Sequence, residues 1–377
     1  MVGDIVEAHD IDEFRALAGE WDACLATMLS PSLFNHSVWL SAWWSAFGQG
    51  RKLHVVVVKS GSEILAGAAL CGRRARYYRM GVSELHFVGE PAADRQEFIC
   101  RPGAEEAVDR IWDHLRIQTQ RYDLVRLEEI PQTSSTVTRG RRCGARPEVE
   151  ISSCLPYIAN PGDWKTFERS LRRRFRAEMR SRDKVFASWG TWRLEVHEGN
   201  AVAAYLDELR QTERSSQKDR GGYAFLAEDG NWALVSDLAR AQASPIEPLL
   251  LILRVGDTPI AYTLGFVFDG KYHGYNTAFR SGFEKGSPGK WIIHQTIRLA
   301  FERGLREFDF LRGGMDLKAR WQPSARRNVR MVLFASGART AALRFAVFRI
   351  RPILKNLRLQ GGFKRPRSEH PPLRPES

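Results

Sequence analysis

Apolar and polar positions along the chain fall into two runs of the same kind. In the first, residues 10–24 follow helical spacing, and Trp39, Trp43 and Phe47 recur every four residues, which sets them on one helix face. Residues 55–58, a Ser60-Gly61 turn and residues 64–70 read as a β-hairpin. An arginine-rich stretch follows (Arg73, Arg74, Arg76, Arg79), after which residues 104–119 predict a helix and 123–127 a strand. The second run repeats that order. Residues 249–255, 260–268 and 271–279, separated by Gly256-Asp257 and Asp269-Gly270 turns, predict an antiparallel meander, and a helix over 290–303 and a strand over 307–311 follow.

Strands in a meander followed by a helix and one more strand predict an α+β architecture, not the regular βαβ alternation of a doubly wound sheet. The repetition predicts two tandem domains, each a mainly antiparallel mixed sheet flanked by helices. A chain of 377 residues is also long enough for two cores of about 150–200 residues each. The Gly- and Pro-containing stretch 133–159, with the basic run 139–142, reads as the inter-domain connection. This gives three segments: 1–150, 151–340 and a basic C-terminal helix and tail, 341–377.

Charge changes the picture locally. The net charge is +13, but residues 341–377 hold nine Lys or Arg against two Glu. More than half of the excess therefore sits in the tail, which argues against a dedicated nucleic-acid-binding body. Leu343, Val347, Ile350 and Leu354 alternate there with arginines, a pattern that fits either peripheral contact with an anionic membrane or packing on the protein body. The first ten residues lack a signal-peptide pattern and no run is long enough to span a bilayer, so the expected location is cytoplasmic, with the tail as a contact to the inner membrane face. Five cysteines show neither a Cys-x-x-Cys pair nor regular spacing with histidine, and neither a disulfide framework nor a metal site is expected.

Candidate chemistry clusters in the second run. Gly286, Ser287, Pro288, Gly289 and Lys290 open a helix, where free N–H groups and a lysine suit a phosphate. The same residues also suit a plain helix cap, with Ser287 as N-cap and Pro288 at the first position. Asp309 alternates onto a core-facing side of its strand, either as a general base or as an anchor paired to an arginine such as Arg312. His273 and Tyr275 share a strand face and are candidates for proton transfer or for core packing. Arg312 and Lys318, after the strand, suit an anionic acceptor or a solvated loop. A helix over 164–186 should bury Phe167, Leu171, Phe175 and Met179 and present arginines elsewhere.

Several of these motifs together resemble the GNAT-type acyltransferases of the CelD/BcsL group, associated with cellulose and exopolysaccharide biosynthesis and distantly similar to FemAB peptidyltransferases. The motifs are residues 34–43, the basic stretch 170–182, Glu213 to Lys218 followed by Gly221-Gly222, the Ser287-Pro288-Gly289 helix start, and Asp309 to Gly313 with Lys318 and Trp321. The resemblance implies two GNAT-like halves, the first degenerate. It implies acetyl-CoA or another acyl-CoA as donor, bound by Gly286, Ser287, Gly289 and Lys290, and a small-molecule or glycan acceptor (a sugar, an amine or an envelope-polysaccharide precursor) near Lys218, Arg312 and Lys318. Asp309, His273 and Tyr275 stand as the catalytic candidates. The full Arg/Gln-x-x-Gly-x-Gly/Ala fingerprint and the glutamate base of ordinary GNAT enzymes are not present. A FemAB-like aminoacyl-tRNA donor and a non-catalytic scaffold of a polysaccharide-synthesis complex are the competing expectations.

Overall fold

The computed structural model describes residues 3–77, 80–144, 146–160 and 162–345. Strand β1 (Asp4–Ala8) leads into helix α1 (Ile11–Ala26), whose first turn is closed by Asp10: its Oδ1 accepts from the N–H groups of Asp12 at 2.9 Å and Glu13 at 2.8 Å. Helix α2 (Ser37–Phe47) carries the aromatic stripe, with Trp39 and Trp43 buried. Strands β2 (Lys52–Ser60), β3 (Glu63–Tyr77) and β4 (Met80–Phe87) form a meander, and the short β5 (Ile99–Cys100) pairs with β3. Helix α3 (Glu105–Gln118), strand β6 (Leu124–Pro131) and helix α4 (Ser135–Gly140) complete the first half.

Strand β7 (Glu148–Ala159) and helices α5 (Trp164–Ser170) and α6 (Arg173–Ala187) lead to the second half, which repeats the order. It comprises β8 (Trp192–Glu198), α7 (Leu206–Arg214), α8 (Gln217–Arg220), α9 (Asp229–Arg240), and the meander β9 (Glu247–Val255), β10 (Thr258–Phe268) and β11 (Lys271–Phe279). Helix α10 (Pro288–Glu302), β12 (Glu307–Asp309), α11 (Met315–Lys318), β13 (Ser324–Phe334) and α12 (Ala338–Phe345) follow.

The expected duplication is present, but the halves share one sheet, ordered β1-β2-β3-β4-β6-β13-β7-β12-β11-β10-β9-β8. They also exchange strands. β7 follows β6 in the chain yet pairs with β12, and β13 follows β12 yet pairs with β6. The two exchanged strands meet each other at the centre. The stretch read as an inter-domain connection is therefore corrected: residues 148–159 are a central strand. Its half-exposed, polar-rich sequence hid it, because its partners lie more than 100 residues further along. The helix predicted over 164–186 is two helices, since Leu171 takes extended backbone (φ −69°, ψ 153°) between them, although Phe167, Leu171, Phe175 and Met179 are all buried as expected.

One apolar core joins the halves, combining Trp39, Leu40 and Trp43 of α2 with Leu234 and Leu238 of α9 and Phe266 and Phe268 of β10. Others lie under α3 and under α5, α6 and α10. Among the described residues no helix is long and apolar enough to cross a membrane. Most of the basic segment 341–377 lies outside the described residues.

Candidate active site

Strands β11 and β12 are parallel and pair only over three residues, Lys271–His273 against Glu307–Asp309. β12 ends there while β11 runs on to Phe279, so among the described residues its edge beyond His273 has no strand partner on that side. Burial changes at the same point: Lys271, Tyr272 and His273 are buried, whereas Gly274, Tyr275, Thr277 and Phe279 are half-exposed. A β-bulge sits at the fork. Against β10 the register passes from Leu264↔Asn276 to Gly265↔Gly274, leaving Tyr275 as the extra residue. Gly265 is required opposite it, since a Cβ there would lie 2.3 Å from the Tyr272 ring.

The bulge turns Tyr275 and its neighbour Asn276 toward the same side, where α7 and α8 lie. Asn276 donates to Glu213 Oε1 at 3.1 Å and to Tyr262 Oη at 2.8 Å, and its Oδ1 accepts from Lys218 Nζ at 2.9 Å. Glu213 is fully buried, 3.6 Å from Lys218 Nζ, and its other oxygen accepts from Leu226 N. Burial pushes the Lys218 ammonium below the ordinary lysine range, with Glu213 opposing the shift. Lys218 is thus a half-exposed cation held beside the open edge of β11.

Each catalytic candidate from the sequence has a structural setting. Asp309 is buried and pairs with Arg326, and it accepts from Leu311 N at 2.8 Å. It is an anchor, and its partner is Arg326 instead of the predicted Arg312. His273 is buried, with neither ring nitrogen hydrogen-bonded among the described residues; burial and then Lys271 push its pKa down to about 3, so at neutral pH it is an uncharged, weak base. Tyr275 donates to Ala92 O at 2.9 Å and packs edge-on against Trp39, Phe225 and Phe266, and burial raises its pKa well above the ordinary value. Core packing accounts for both His273 and Tyr275.

At the start of α10, Ser287 occupies the N-cap position in a left-handed conformation (φ 47°, ψ 48°), and its hydroxyl makes no capping bond. The two glycines face aromatic rings and not open space. A Cβ on Gly286 would lie 2.5 Å from Trp189, and one on Gly289 3.1 Å from Phe279. The reading of these glycines as room for a ligand is corrected on that ground. Lys290 pairs with Glu178 at 2.7 Å, and Arg182 reaches the same carboxylate at 3.0 Å. Two cations share one anion, so the turn keeps a net positive charge beside the helix start.

Arg312 and Lys318 are likewise committed. Arg312 pairs with Asp94, lies 3.7 Å from Glu129, and donates to Pro91 O at 2.7 Å. Lys318 Nζ donates to the carbonyls of Phe310, Leu311 and Arg312 at 3.0, 2.9 and 2.7 Å, and burial pushes its pKa down to about 8. Both hold the chain's turn away from β12, where Leu311 has φ 53°. They position the mouth of the fork and are not free acceptor ligands. Of the predicted residues, the structure ties Lys218 to the bulge through Asn276, sets Tyr275 in the core beside Ala92 and Trp39, and leaves Gly286 to Lys290 at the α10 start.

The residues that sequence reasoning missed are Asn276, Arg326, Asp94 and Glu129. Asn276 carried one usable signal, a polar residue in an apolar strand. The other three acquire their roles only through contacts with distant segments. The first half has an equivalent fork, where Glu84–His86 of β4 pair with Leu124–Arg126 of β6. Its own chain fills it: Gln96 N donates to Glu129 O at 3.0 Å, Phe98 N donates to Thr136 Oγ1 at 2.8 Å, and Val88, Ala92, Ala93 and Phe98 are buried.

Comparisons with known proteins agree with this geometry. The chain is similar to the crystal structure of FemX (10% identity, 86% of this chain and 96% of that chain, TM-score 0.61). It is also similar to the C-terminal domain of a putative lysylphosphatidylglycerol synthetase from Agrobacterium fabrum (13% identity, 88% and 96%, TM-score 0.53). A third similar structure is a tandem GNAT protein from the clavulanic acid biosynthesis pathway (10% identity, 89% and 100%, TM-score 0.50). No curated protein matches the sequence significantly. At these identities the structures establish the fold, a tandem GNAT-like one, and within the second half residues 173–319 match the acetyltransferase (GNAT) domain family.

Proposed function

We propose that the chain transfers an acyl group from acyl-CoA to an amine or hydroxyl acceptor in the fork between β11 and β12. The observation that carries this reading is the unpaired, half-exposed edge of β11 beyond His273, flanked by Lys218 on one side and by the α10 start on the other. The acceptor's nitrogen or oxygen attacks the acyl carbonyl carbon, the C–S bond breaks, and the acceptor's proton ends on the leaving thiol. Lys218 and backbone N–H groups of the open edge stabilise the oxygen that gains charge, in a setting already ordered by Asn276 and Glu213. Lys290 and Arg182 meet the donor's pyrophosphate at the helix start. A sugar, an amine or an envelope-polysaccharide precursor is the proposed acceptor class, supported by the motifs shared with the CelD/BcsL group.

Calorimetric titration with acetyl-CoA tests the donor. The intact protein should bind it, and Lys290→Ala should weaken binding by about 1.5–3 kcal/mol, roughly ten- to a hundredfold. Absence of binding to the intact protein sinks the acyl-CoA reading. One observation favours an aminoacyl-tRNA donor instead: Arg172, Arg173, Arg174 and Arg180 are exposed along α6 and its start. That donor would show binding whose logarithm falls steeply and linearly with the logarithm of salt concentration.

A further inference from the structure

We infer that Glu7, His9 and His54 form a binding site for a divalent transition metal, best matched by Zn²⁺, at the β1 edge of the sheet. The β1–β2 ladder pairs Ala8 with Val55, so the next residues, His9 and His54, come opposite each other. Glu7 and His9, two positions apart, point to one face. One ligand atom from each of Glu7, His9 and His54 lies within 4.8 Å of the others. From α3, His114 stands beside the group and not in it: its Nε2 lies 3.5 Å from Glu7 Oε2, the oxygen that is 3.9 Å from His9 Nε2, and 3.0 Å from the Gln118 amide nitrogen.

His54 supplies the second, independent observation. The residue is 9% exposed, its Nε2 is 2.7 Å from Tyr122 Oη, and its Nδ1 is buried with no hydrogen-bond partner among the described residues. A metal-ligating imidazole commonly has one nitrogen held by a neighbouring polar group and the other on the metal. Two imidazoles and one carboxylate match the ligand preference of zinc, whose bonds of about 2.0–2.2 Å would draw the three atoms slightly closer together and leave the fourth tetrahedral position to a water. A hollow of about 410 Å³ lined by His9, Asp10, Trp44 and His54 gives access. Arg51 and Lys52 line it too, but Arg51 is engaged with Phe47 O at 2.7 Å and with the His86 ring. The expectation of no metal site rested on cysteine spacing, and this proposal departs from it because its ligands are brought together by the β1–β2 pairing. It lies at the far end of the first half's sheet from the β11–β12 fork, so its role is to fasten edge strand β1 to β2, while His114 ties Glu7 to α3.

The test uses the full chain without a histidine tag, stripped with chelator and titrated with zinc sulfate and, separately, cobalt chloride. One equivalent of Zn²⁺ should bind and raise the melting temperature, and Co²⁺ should give the visible d–d bands of a tetrahedral site. His54→Ala should weaken Zn²⁺ binding about a hundredfold and His9→Ala at least about tenfold, by analogy with the cost of losing ligand support. Should His54→Ala fail to fold, His9→Ala decides, because the His9 side chain is 58% exposed and its loss leaves the core intact. Equal Zn²⁺ affinity in His9→Ala and the unaltered protein, or a cobalt complex without tetrahedral bands, overturns the inference.

Discussion

Arg312 and Asp94, 218 positions apart, clasp each other across the two halves: the Arg312 backbone N–H donates to Asp94 Oδ2 at 2.9 Å while its guanidinium pairs with Oδ1. Burial opposes the charge on Arg312, and Asp94 and Glu129 more than offset it. Removing one member leaves the other buried and unpaired. Arg312→Met should therefore destabilise the fold by about 3 kcal/mol, and Asp94→Asn should cost less once Arg312 is already gone. Urea denaturation of the two single variants and the double variant measures that coupling; additive effects would mean the clasp carries no energy.

Lys218→Met should lower acyl transfer about a hundredfold through loss of a charged stabiliser. Glu213 and Asn276 keep their bonds to Leu226, Tyr262 and each other, but the buried Glu213 loses its cation, so the melting temperature should fall as well, and transfer is compared at a temperature where both proteins are folded. Single-turnover rates alongside melting curves test this, and a variant that transfers at the normal rate removes Lys218 from the site.

Acid should destabilise the protein from about pH 6.5 downward. Burial holds the folded pKa values of His86 and His273 near 3 and of His294 near 4. The unfolded chain takes up these protons near pH 6.5, whereas the folded chain does not, so each histidine costs stability as pH falls through that window. His273→Phe should flatten the dependence between pH 6 and 4 by about 1.4 kcal/mol per pH unit. Urea midpoints at several pH values measure the slope.

Gly286→Ala should destabilise by about 1–3 kcal/mol, because its Cβ would meet Trp189 at 2.5 Å. Gly289→Ala should change stability by less, since the 3.1 Å approach to Phe279 is milder and alanine gains about 1 kcal/mol of helix propensity. Thermal melts of the pair suffice, and the reverse order would contradict the packing assigned to this turn.

Fragments 1–160 and 161–345 should not fold separately, because each lacks the strand that the other half donates to its sheet. Mixed together, they should regain the β-sheet circular dichroism of the whole. A cooperatively folded 1–160 alone would show that the exchange of β7 and β13 is dispensable.

Periodicity by itself determined the elements with strong internal pattern: the Trp39 to Phe47 helix, the first hairpin, the second meander, α3, α10 and the α+β duplication all follow from spacing that neighbouring residues enforce on one another, whereas β4 hid in the arginine-rich stretch. It also placed Lys218 and the α10 start on elements with clear boundaries. The tertiary structure alone decided the rest. Strand β7 looked like a linker because its pairing energy comes from β12 and β13, and no local pattern encodes a partner that far away. Asp309 carried the mark of a buried carboxylate, but whether Arg312 or Arg326 neutralised it depended on which strand lay alongside. The glycines at 286 and 289 looked open until Trp189 and Phe279 packed against them. Glu7, His9 and His54 show no ligand spacing in the sequence, since a set drawn from two strands exists only once the sheet has formed.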